Sequence, residues 1–250
     1  MKYSIFHTSH CGSTLLATLL RESIETYCEP KWTNYSDCRY FMMAKDNTLV
    51  KYPSYTSMAC RILPGKKIFI FRSLKDHLEK ITSQKRLIEQ NLKLYYPFCR
   101  EIRNLFPNLI VDNDLQKLAF VWVHRYLDAY YSQEIMSINA NNFFLNPNKV
   151  MNQITEFLNI QPVKNFEALN FYVKKDFNCK DERLSQIQPK DKIEYHVRDG
   201  LINSNNFKDI EDWVDQEILK KIKSHNIFPL LRDKNNTPIY SFIPGVTIKV

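Results

Sequence analysis

The stretch that most limits what this chain can fold into runs from residue 3 to residue 20, Tyr-Ser-Ile-Phe-His-Thr-Ser-His-Cys-Gly-Ser-Thr-Leu-Leu-Ala-Thr-Leu-Leu. A short apolar run closes at Ile5 and Phe6, residues 7 to 13 are polar or small, and from Leu15 the apolar residues recur at helical spacing. This pattern predicts a strand, a tight turn and a helix. The turn contains Gly12, which is the only glycine in the first 64 residues.

The turn before this helix has the composition of an anion-binding loop. Gly12 has no Cβ atom, so the backbone can fold tightly there and direct successive N–H groups toward a ligand. Unpaired amides at a helix N-terminus and the helix dipole both attract negative charge, and Ser13 and Thr14 add hydroxyl donors. The simpler alternative is a Ser/Thr-capped helix that follows a strand. That alternative explains the hydroxyl groups but not the glycine.

Composition narrows the class of ligand and of protein. Lys and Arg number 35 against 27 Asp and Glu, and the formal net charge of +8 suits a polyanion such as a nucleotide, a nucleic acid or an acidic lipid. No dense block of Lys and Arg occurs, so we expect no nucleic-acid partner. The six cysteines form no CxxC pair and follow no secretory leader, which favours reduced thiols and a cytoplasmic protein. No apolar run approaches the roughly 20 residues that cross a bilayer, and no metal site is predicted.

The rest of the chain alternates strand-like and helix-like segments, which predicts a three-layer α/β/α fold around a mainly parallel sheet. Strands are expected at 25–30, 47–52, 66–71 and 135–138. Helices are expected at 54–63, 73–94, 114–134, 146–158 and 207–224. The tail from 239 to 250 has β character that Pro244-Gly245 interrupts. No repeat or linker divides the chain, so residues 1–250 are predicted to form a single domain.

Two cations lie at the carboxyl ends of predicted strands that are consecutive in the sequence. Lys51 lies at the end of the strand at 47–52, and Arg72 follows the apolar run Lys66–Phe71. In open parallel sheets ligands bind beyond the carboxyl ends of the strands. Both cations are therefore expected at the ligand edge of the sheet.

The helix predicted at 114–134 is the most strongly amphipathic segment of the chain. Its apolar face is expected to consist of Leu115, Leu118, Ala119, Trp122, Tyr126 and Ala129. We interpret Trp122 and the tyrosines as core residues rather than as an aromatic binding cage. His124 is expected to be a surface or hydrogen-bonded histidine rather than a catalyst.

These motifs resemble those of the sulfotransferases. The phosphosulfate loop of that family reads approximately Lys/Arg-Ser-Gly-Thr/Ser-Thr before a Leu-rich helix, and His10-Cys11-Gly12-Ser13-Thr14-Leu15-Leu16 is similar to it. The strand that ends in an arginine is matched by Ile68-Phe69-Ile70-Phe71-Arg72, and Leu49-Val50-Lys51-Tyr52-Pro53-Ser54 resembles the strand-end lysine segment. Asn141 to Leu158 resembles the family's Glu-Asp-Leu-x-x-x-Pro helix. The resemblance covers about the first 160 residues.

The resemblance implies a P-loop-like fold and transfer of a sulfuryl group from 3′-phosphoadenosine 5′-phosphosulfate to a hydroxyl or amine. The acceptor would be a small molecule or a carbohydrate. By this resemblance, the nucleotide is held by His10, Cys11, Gly12, Ser13, Thr14, Arg72, Lys80 and Arg198. The catalytic residues would be Glu29 as the base, fifteen residues after Thr14, with His10 and Lys51. Without Glu29, the proton acceptor would be His7, His10 or a group of the substrate.

The chain also departs from the family pattern. His10 stands in place of a Lys or Arg, Lys80 in place of the serine that contacts the 3′-phosphate, and Asn141-Asn142 in place of an acidic pair. Pro53 replaces the catalytic histidine of the cytosolic branch, and Arg198-Asp199-Gly200 is only similar to Arg-Lys-Gly. A catalytically degenerate nucleotide-binding protein is therefore a second hypothesis. A P-loop kinase is less favoured because Gly-x-x-x-x-Gly-Lys-Ser/Thr is absent.

Overall fold

A computed structural model gives the fold of the chain. It describes residues 1–8, 10–28, 46–52, 60, 63–99, 102–103, 106–130, 132–166, 171–175, 184–189 and 207–225. The strands are β1 (Tyr3–His7), β2 (Glu25–Cys28), β3 (Thr48–Lys51), β4 (Lys66–Phe71), β5 (Ile135–Asn139), β6 (Phe171–Lys175) and β7 (Leu184–Pro189). The α-helices are α1 (Ser13–Leu20), α2 (Leu74–Thr82), α3 (Lys85–Gln90), α4 (Asp114–Tyr130), α5 (Ala140–Leu145), α6 (Pro147–Leu158), α7 (Phe207–Trp213) and α8 (Lys220–His225). Short π-helical and 3₁₀ segments occupy Asn91–Tyr95, Tyr96–Cys99 and Val214–Leu219.

A five-stranded sheet in the order β2-β3-β1-β4-β5 forms the centre of the fold. Every pairing in it is parallel, and Ile5 in β1 lies between Lys51 of β3 and Ile68 of β4. Strands β6 and β7 form a separate antiparallel pair. The parallel sheet and its flanking helices confirm the predicted α/β class.

The strand order places a topological switch at β1. From β1 the chain builds β2 and β3 on one side of it and then β4 and β5 on the other. Loops that follow strands on opposite sides of such a point leave a crevice at the carboxyl ends of the strands, where ligands bind in open α/β sheets. The loop after β1 therefore lies at the edge that this topology favours for a ligand.

The described residues fall into two compact units, one comprising residues 1–72 and 132–196 and the other residues 73–131 and 197–250. The first unit contains the parallel sheet with α1, α5 and α6. One face of the sheet packs against these helices through a continuous apolar core, which includes Tyr3, Ile5, Leu16, Leu20, Leu49, Ile68, Ile70, Ile138, Phe143, Met151, Ile154 and Leu158. Alternate strand residues such as Ser4, Phe6, Val50 and Phe69 are also buried. Burial on both faces explains why these strands read as apolar runs.

Several elements of the first unit begin and end close to their predicted bounds. β4 coincides with the predicted strand at 66–71, and α6 begins at Pro147, as expected for a proline that can occupy the first turn of a helix. The short helix α5 is not predicted from the sequence. The segments at 29–45 and 239–250 and most of the predicted helix at 54–63 lie outside the described residues.

In the second unit, the long helix predicted at 73–94 is wrong. Helix α2 ends at Thr82, and α3 begins at Lys85 after the extended residue Gln84. The hydroxyls of Thr82 and Ser83 donate to the carbonyl oxygens of Leu78 and Lys80, each at 2.8 Å. Such bonds compete with the helical pattern, and they explain a break that the charged periodicity does not reveal.

Helix α4 is buried on more sides than its predicted amphipathic face implies. From Leu118 to Ala129 every residue except Tyr126 is buried, and the helix ends at Tyr130 rather than at 134. Trp122 belongs to the core, as expected, and its ring stacks on that of Tyr126. His124 is buried with Nδ1 3.5 Å from Oδ2 of Asp128, and so it is a buried, partnered histidine rather than a surface one. Among the described helices, none is long and apolar enough to cross a membrane.

Candidate anion-binding site

Two of the described residues in the loop between β1 and α1 have positive φ and turn the backbone sharply. His10 has a φ of 59°, and Gly12, at the N-cap of α1, has a φ of 86° and a ψ of 13°. Residues in this region of φ turn the backbone so that successive N–H groups can point to one side, which forms a concave site for an anion. The first turn of α1 carries no acidic residue that would oppose an anion.

Two features favour glycine at position 12. The positive φ disfavours any residue with a Cβ. In addition, a Cβ at Gly12 would lie 2.6 Å from Cζ of Phe144, so the partly exposed ring would have to move. The predicted importance of this glycine for the loop therefore has a structural basis.

Phe144 forms an aromatic wall beside the loop. Phe144 lies on α5, and the residue before it, Phe143, is fully buried in the core. The two rings are tilted with centroids 5.3 Å apart, and Phe144 remains 41% exposed while its ring packs against Gly12. Sequence reasoning missed this residue because the contact joins positions far apart in the chain. The Phe-Phe-Leu run at 143–145, after a predicted strand, is its signal in the sequence.

Arg72, the residue after β4, is hydrogen-bonded to the loop. Nε of Arg72 donates to the carbonyl oxygen of His10 at 3.1 Å, and the Arg72 amide donates to Oγ1 of Thr8 at 3.3 Å. Thr8 in turn donates its amide to the carbonyl oxygen of Ile70 at 3.2 Å, and Sγ of Cys11 donates to the same oxygen at 3.2 Å. These bonds fix both ends of the loop to the carboxyl end of β4.

The two predicted cations, Lys51 and Arg72, both influence the pKa of the Cys11 thiol. Burial raises the pKa of the Cys11 thiol to about 11, and the Ser13 amide, Lys51, Arg72 and Thr8 each act in the opposite direction. Because both Lys51 and Arg72 lower the pKa of this one thiol, their positive charges act on the same part of the loop. Both strand-end cations therefore act electrostatically on the buried thiol of the loop, and their binding of a nucleotide stays a prediction.

Lys51 is an unusual residue for the interior, since only 2% of it is exposed. It is the last residue of β3, and its backbone pairs with Ile5 of β1 and Cys28 of β2. A lysine is almost never buried unless a partner offsets the cost of removing its charge from water. Its position at the carboxyl end of β3, between β1 and β2, makes it a candidate for binding an anion.

The other predicted site residues are placed as follows. Ser13 is buried and Thr14 half-buried in the first turn of α1, where Thr14 accepts a hydrogen bond from the Thr18 hydroxyl at 2.8 Å. Lys80 is half-buried in α2 of the second unit, and its part in the site remains a prediction. Glu29 and Arg198 lie outside the described residues.

The segment from Asn141 to Leu158, which resembles a helix of the sulfotransferases, begins inside the short helix α5. Oδ1 of Asn139 accepts a hydrogen bond from the Asn141 amide at 2.8 Å, so Asn139 caps α5. Asn141 and Asn142 are both exposed. Helix α5, which contains both asparagines, carries Phe143 into the core and Phe144 onto the loop.

Comparisons with known proteins give likeness at the level of structure. No family model matches the chain, and no curated protein matches it. A sulfotransferase from Alicyclobacillus acidocaldarius is similar with a TM-score of 0.41 and 15% identity, over 67% of this chain and 87% of that one. Mouse sulfotransferase SULT7A1 complexed with PAP is similar with a TM-score of 0.40 and 14% identity, over 94% of this chain and 86% of that one. The sulfotransferase domain from the curacin biosynthetic pathway is similar with a TM-score of 0.41 and 14% identity, over 86% of this chain and 98% of that one.

All three of these structures are sulfotransferases. At this identity and these TM-scores the likeness does not carry an activity to this chain. The case for a function rests on the loop after β1 and on the cations that surround it.

Proposed function

We propose that this protein is a sulfotransferase that moves a sulfuryl group from 3′-phosphoadenosine 5′-phosphosulfate to a hydroxyl or amine of an acceptor. The observation that carries this proposal is a loop whose backbone turns at His10 and Gly12, with Arg72 hydrogen-bonded to it and Lys51 buried at the end of the strand beside β1. A polyanionic nucleotide needs both backbone donors and fixed cations. The loop amides and the two strand-end cations are the candidates for these donors and charges, at the switch point of the sheet.

The residues present suit the phosphosulfate group. The co-substrate, when bound, supplies an activated sulfuryl group for transfer. The loop amides and the hydroxyls of Ser13 and Thr14 would hold its oxygens, and Lys51 would neutralise their charge. Sulfuryl transfer, like phosphoryl transfer, is expected to pass through a loose in-line transition state, so the protein contributes mainly positioning and charge stabilisation. His10, at the exposed end of the loop, can donate a hydrogen bond to the leaving oxygen.

Specificity for the 3′-phosphate is assigned to Arg72. A guanidinium carries several N–H donors in a planar fork, so it can contact His10 through Nε and still bind a phosphate. Lys80 and Arg198 are proposed as further phosphate contacts, and Glu29 as the base that accepts the acceptor's proton. Each of these three roles is a prediction from the resemblance.

A second candidate is a sulfotransferase-like protein that binds the nucleotide but has lost the chemistry. The specific features in its favour are His10 at the family's cationic position and the neutral Asn141-Asn142 pair. Both candidates predict binding of adenosine 3′,5′-bisphosphate. They differ only in whether sulfate is transferred.

One experiment separates the two candidates and the less favoured kinase. The protein is incubated with phosphosulfate donor that carries labelled sulfate, together with panels of phenols, alcohols, amines and carbohydrates. A sulfotransferase produces a labelled acceptor, whereas a degenerate binder takes up the bisphosphate in calorimetry and labels nothing. Tight ATP binding with hydrolysis, and weak binding of the bisphosphate, would contradict both and favour a P-loop kinase.

A further inference from the structure

Both ring nitrogens of His7 face backbone carbonyl oxygens. Nδ1 lies 2.9 Å from the oxygen of Thr8, and Nε2 lies 2.9 Å from the oxygen of Tyr52. A carbonyl oxygen can only accept a hydrogen bond, while a neutral imidazole has a single N–H. A neutral ring would therefore turn a bare nitrogen toward one of the two oxygens.

The ring has little access to water that could relieve such a mismatch. His7 is only 6% exposed, and Thr8 is fully buried beside it. Buried polar groups in proteins are almost always paired with a complementary group. An imidazolium satisfies both oxygens, because both of its nitrogens donate.

We infer that His7 is held as an imidazolium beneath the loop, where it adds a fixed positive charge to the anion site and positions the end of β3. The charge state of the ring is independent of the function proposed above. Its effect on nucleotide affinity rests on that function.

The positioning role follows from what His7 holds. Tyr52 immediately follows Lys51, and its amide donates to the carbonyl oxygen of Ile5 at 2.9 Å. Its ring stacks on Phe6 with centroids 5.0 Å apart, and its carbonyl oxygen accepts from His7. The side chain of His7 thus continues the bonding between β1 and β3 beyond the last ladder pair, and it fixes the backbone that presents Lys51.

The charged groups on the elements around His7 decide how anion binding and protonation are linked. Lys51 ends β3, Arg72 follows β4, and the loop contributes His10 and Cys11. Lys51 and Arg72 are cations and oppose a further positive charge, and Cys11 stays a neutral thiol near neutral pH because burial raises its pKa to about 11. A bound polyanion offsets this repulsion, so binding of the anion and protonation of His7 favour each other.

An imidazolium also has no lone pair with which to accept a proton. His7 is therefore excluded as the general base, although the sequence leaves it open. The base is then Glu29, His10 or a group of the substrate.

Nitrogen NMR of the whole protein with labelled histidine tests the charge state directly. The signals of His7 are assigned by their loss in His7→Gln. We expect both nitrogens of the free wild-type protein to show the protonated signature at neutral pH, and that signature to persist to higher pH when adenosine 3′,5′-bisphosphate is added. The pattern of a neutral ring, with one bare nitrogen at neutral pH, would overturn the inference whether or not the nucleotide binds.

Calorimetry tests the effect on the site. Between neutral and mildly alkaline pH, the affinity of the wild type for the bisphosphate is expected to fall by about threefold or more as His7 loses its proton. His7→Gln should bind more weakly at neutral pH and lose this slope, while His124→Gln, in the other unit, should keep it. A wild-type slope in His7→Gln would overturn the proposed link, and failure of every variant to bind would count against the nucleotide site alone.

Discussion

Arg72 donates from Nε to the carbonyl oxygen of His10, and His10 has a positive φ that helps to turn the loop. A non-glycine residue in this region costs on the order of 1 to 3 kcal/mol, so the surrounding structure must stabilise it. The bond from the end of β4 supplies part of that stabilisation. Arg72 therefore shapes the loop in addition to its proposed contact with the 3′-phosphate.

This double role gives a graded prediction for Arg72→Ala. Binding of adenosine 3′,5′-bisphosphate should weaken by about 1.5 to 3 kcal/mol, as expected for loss of a charge-assisted contact. Adenosine 5′-phosphate should weaken less, because it loses only the contribution of the loop. Calorimetry measures both, and Arg21→Ala, which removes an exposed arginine at the other end of α1, is the control. Equal losses for the two nucleotides would assign Arg72 a purely structural role.

The contact between Gly12 and Phe144 predicts a non-additive pair of substitutions. Gly12→Ala introduces a Cβ where φ is 86° and where the ring of Phe144 is 2.6 Å away, so it should lower both stability and bisphosphate affinity. Phe144→Ala should restore part of the loss, since it removes the clash but not the strain of the backbone. The double-mutant cycle is measured by denaturant unfolding and by calorimetry. Strict additivity would mean that the ring does not restrict position 12.

Lys51→Met should separate binding from folding. Methionine keeps most of the volume of the buried lysine, and replacing a buried charge by an apolar group of similar size is often neutral or stabilising. We expect thermal unfolding to shift by only a few degrees, while bisphosphate affinity and sulfate transfer both fall about tenfold or more. Unchanged affinity and transfer would remove Lys51 from the site.

Glu29→Gln tests the proposed base. The variant keeps the shape of the side chain and removes its ability to accept a proton, so bisphosphate affinity should stay within about twofold of wild type. Turnover with an acceptor found in the panel should fall by roughly 10²-fold or more. Normal turnover would leave His10 or a group of the substrate as the proton acceptor.

Two buried thiols predict how stability depends on alkaline pH. Burial raises the pKa of Cys11 from 9.0 to about 11 and that of Cys99 from 9.0 to about 12. The folded protein thus favours the neutral thiol, and the resulting stabilisation is complete below pH 9.0 and is lost as pH rises through these folded values. Cys99→Ala and Cys11→Ala should each make the free energy of unfolding fall less steeply in this window. Slopes identical to that of the wild type would contradict the shifts.

The sequence predicts well those features that depend on neighbouring residues. The apolar run Lys66–Phe71, the helix that starts at Pro147 and the turn at Gly12 all follow from local pattern, and the structure confirms them. Lys51 and Arg72 are predicted at one edge of the sheet because the carboxyl ends of parallel strands share it, and the structure places them at the ends of β3 and β4, on either side of β1.

Features set by contacts across the chain escape such reasoning. The bond from His7 to Tyr52 spans 45 positions, and the contact of Phe144 with Gly12 joins two segments that no periodicity connects. The break after Thr82 depends on hydroxyl groups that bond back to the helix, while the all-round burial of α4 depends on packing rather than on its own pattern.

The most direct test of the central claim is a calorimetric titration of adenosine 3′,5′-bisphosphate into the wild type and into Gly12→Val. The branched side chain of valine cannot adopt the loop's backbone at φ 86° beside Phe144. We expect the wild type to bind the nucleotide and Gly12→Val, verified as folded by circular dichroism, to show no measurable binding. Equal affinity in the two proteins would contradict the assignment of this loop as the nucleotide site.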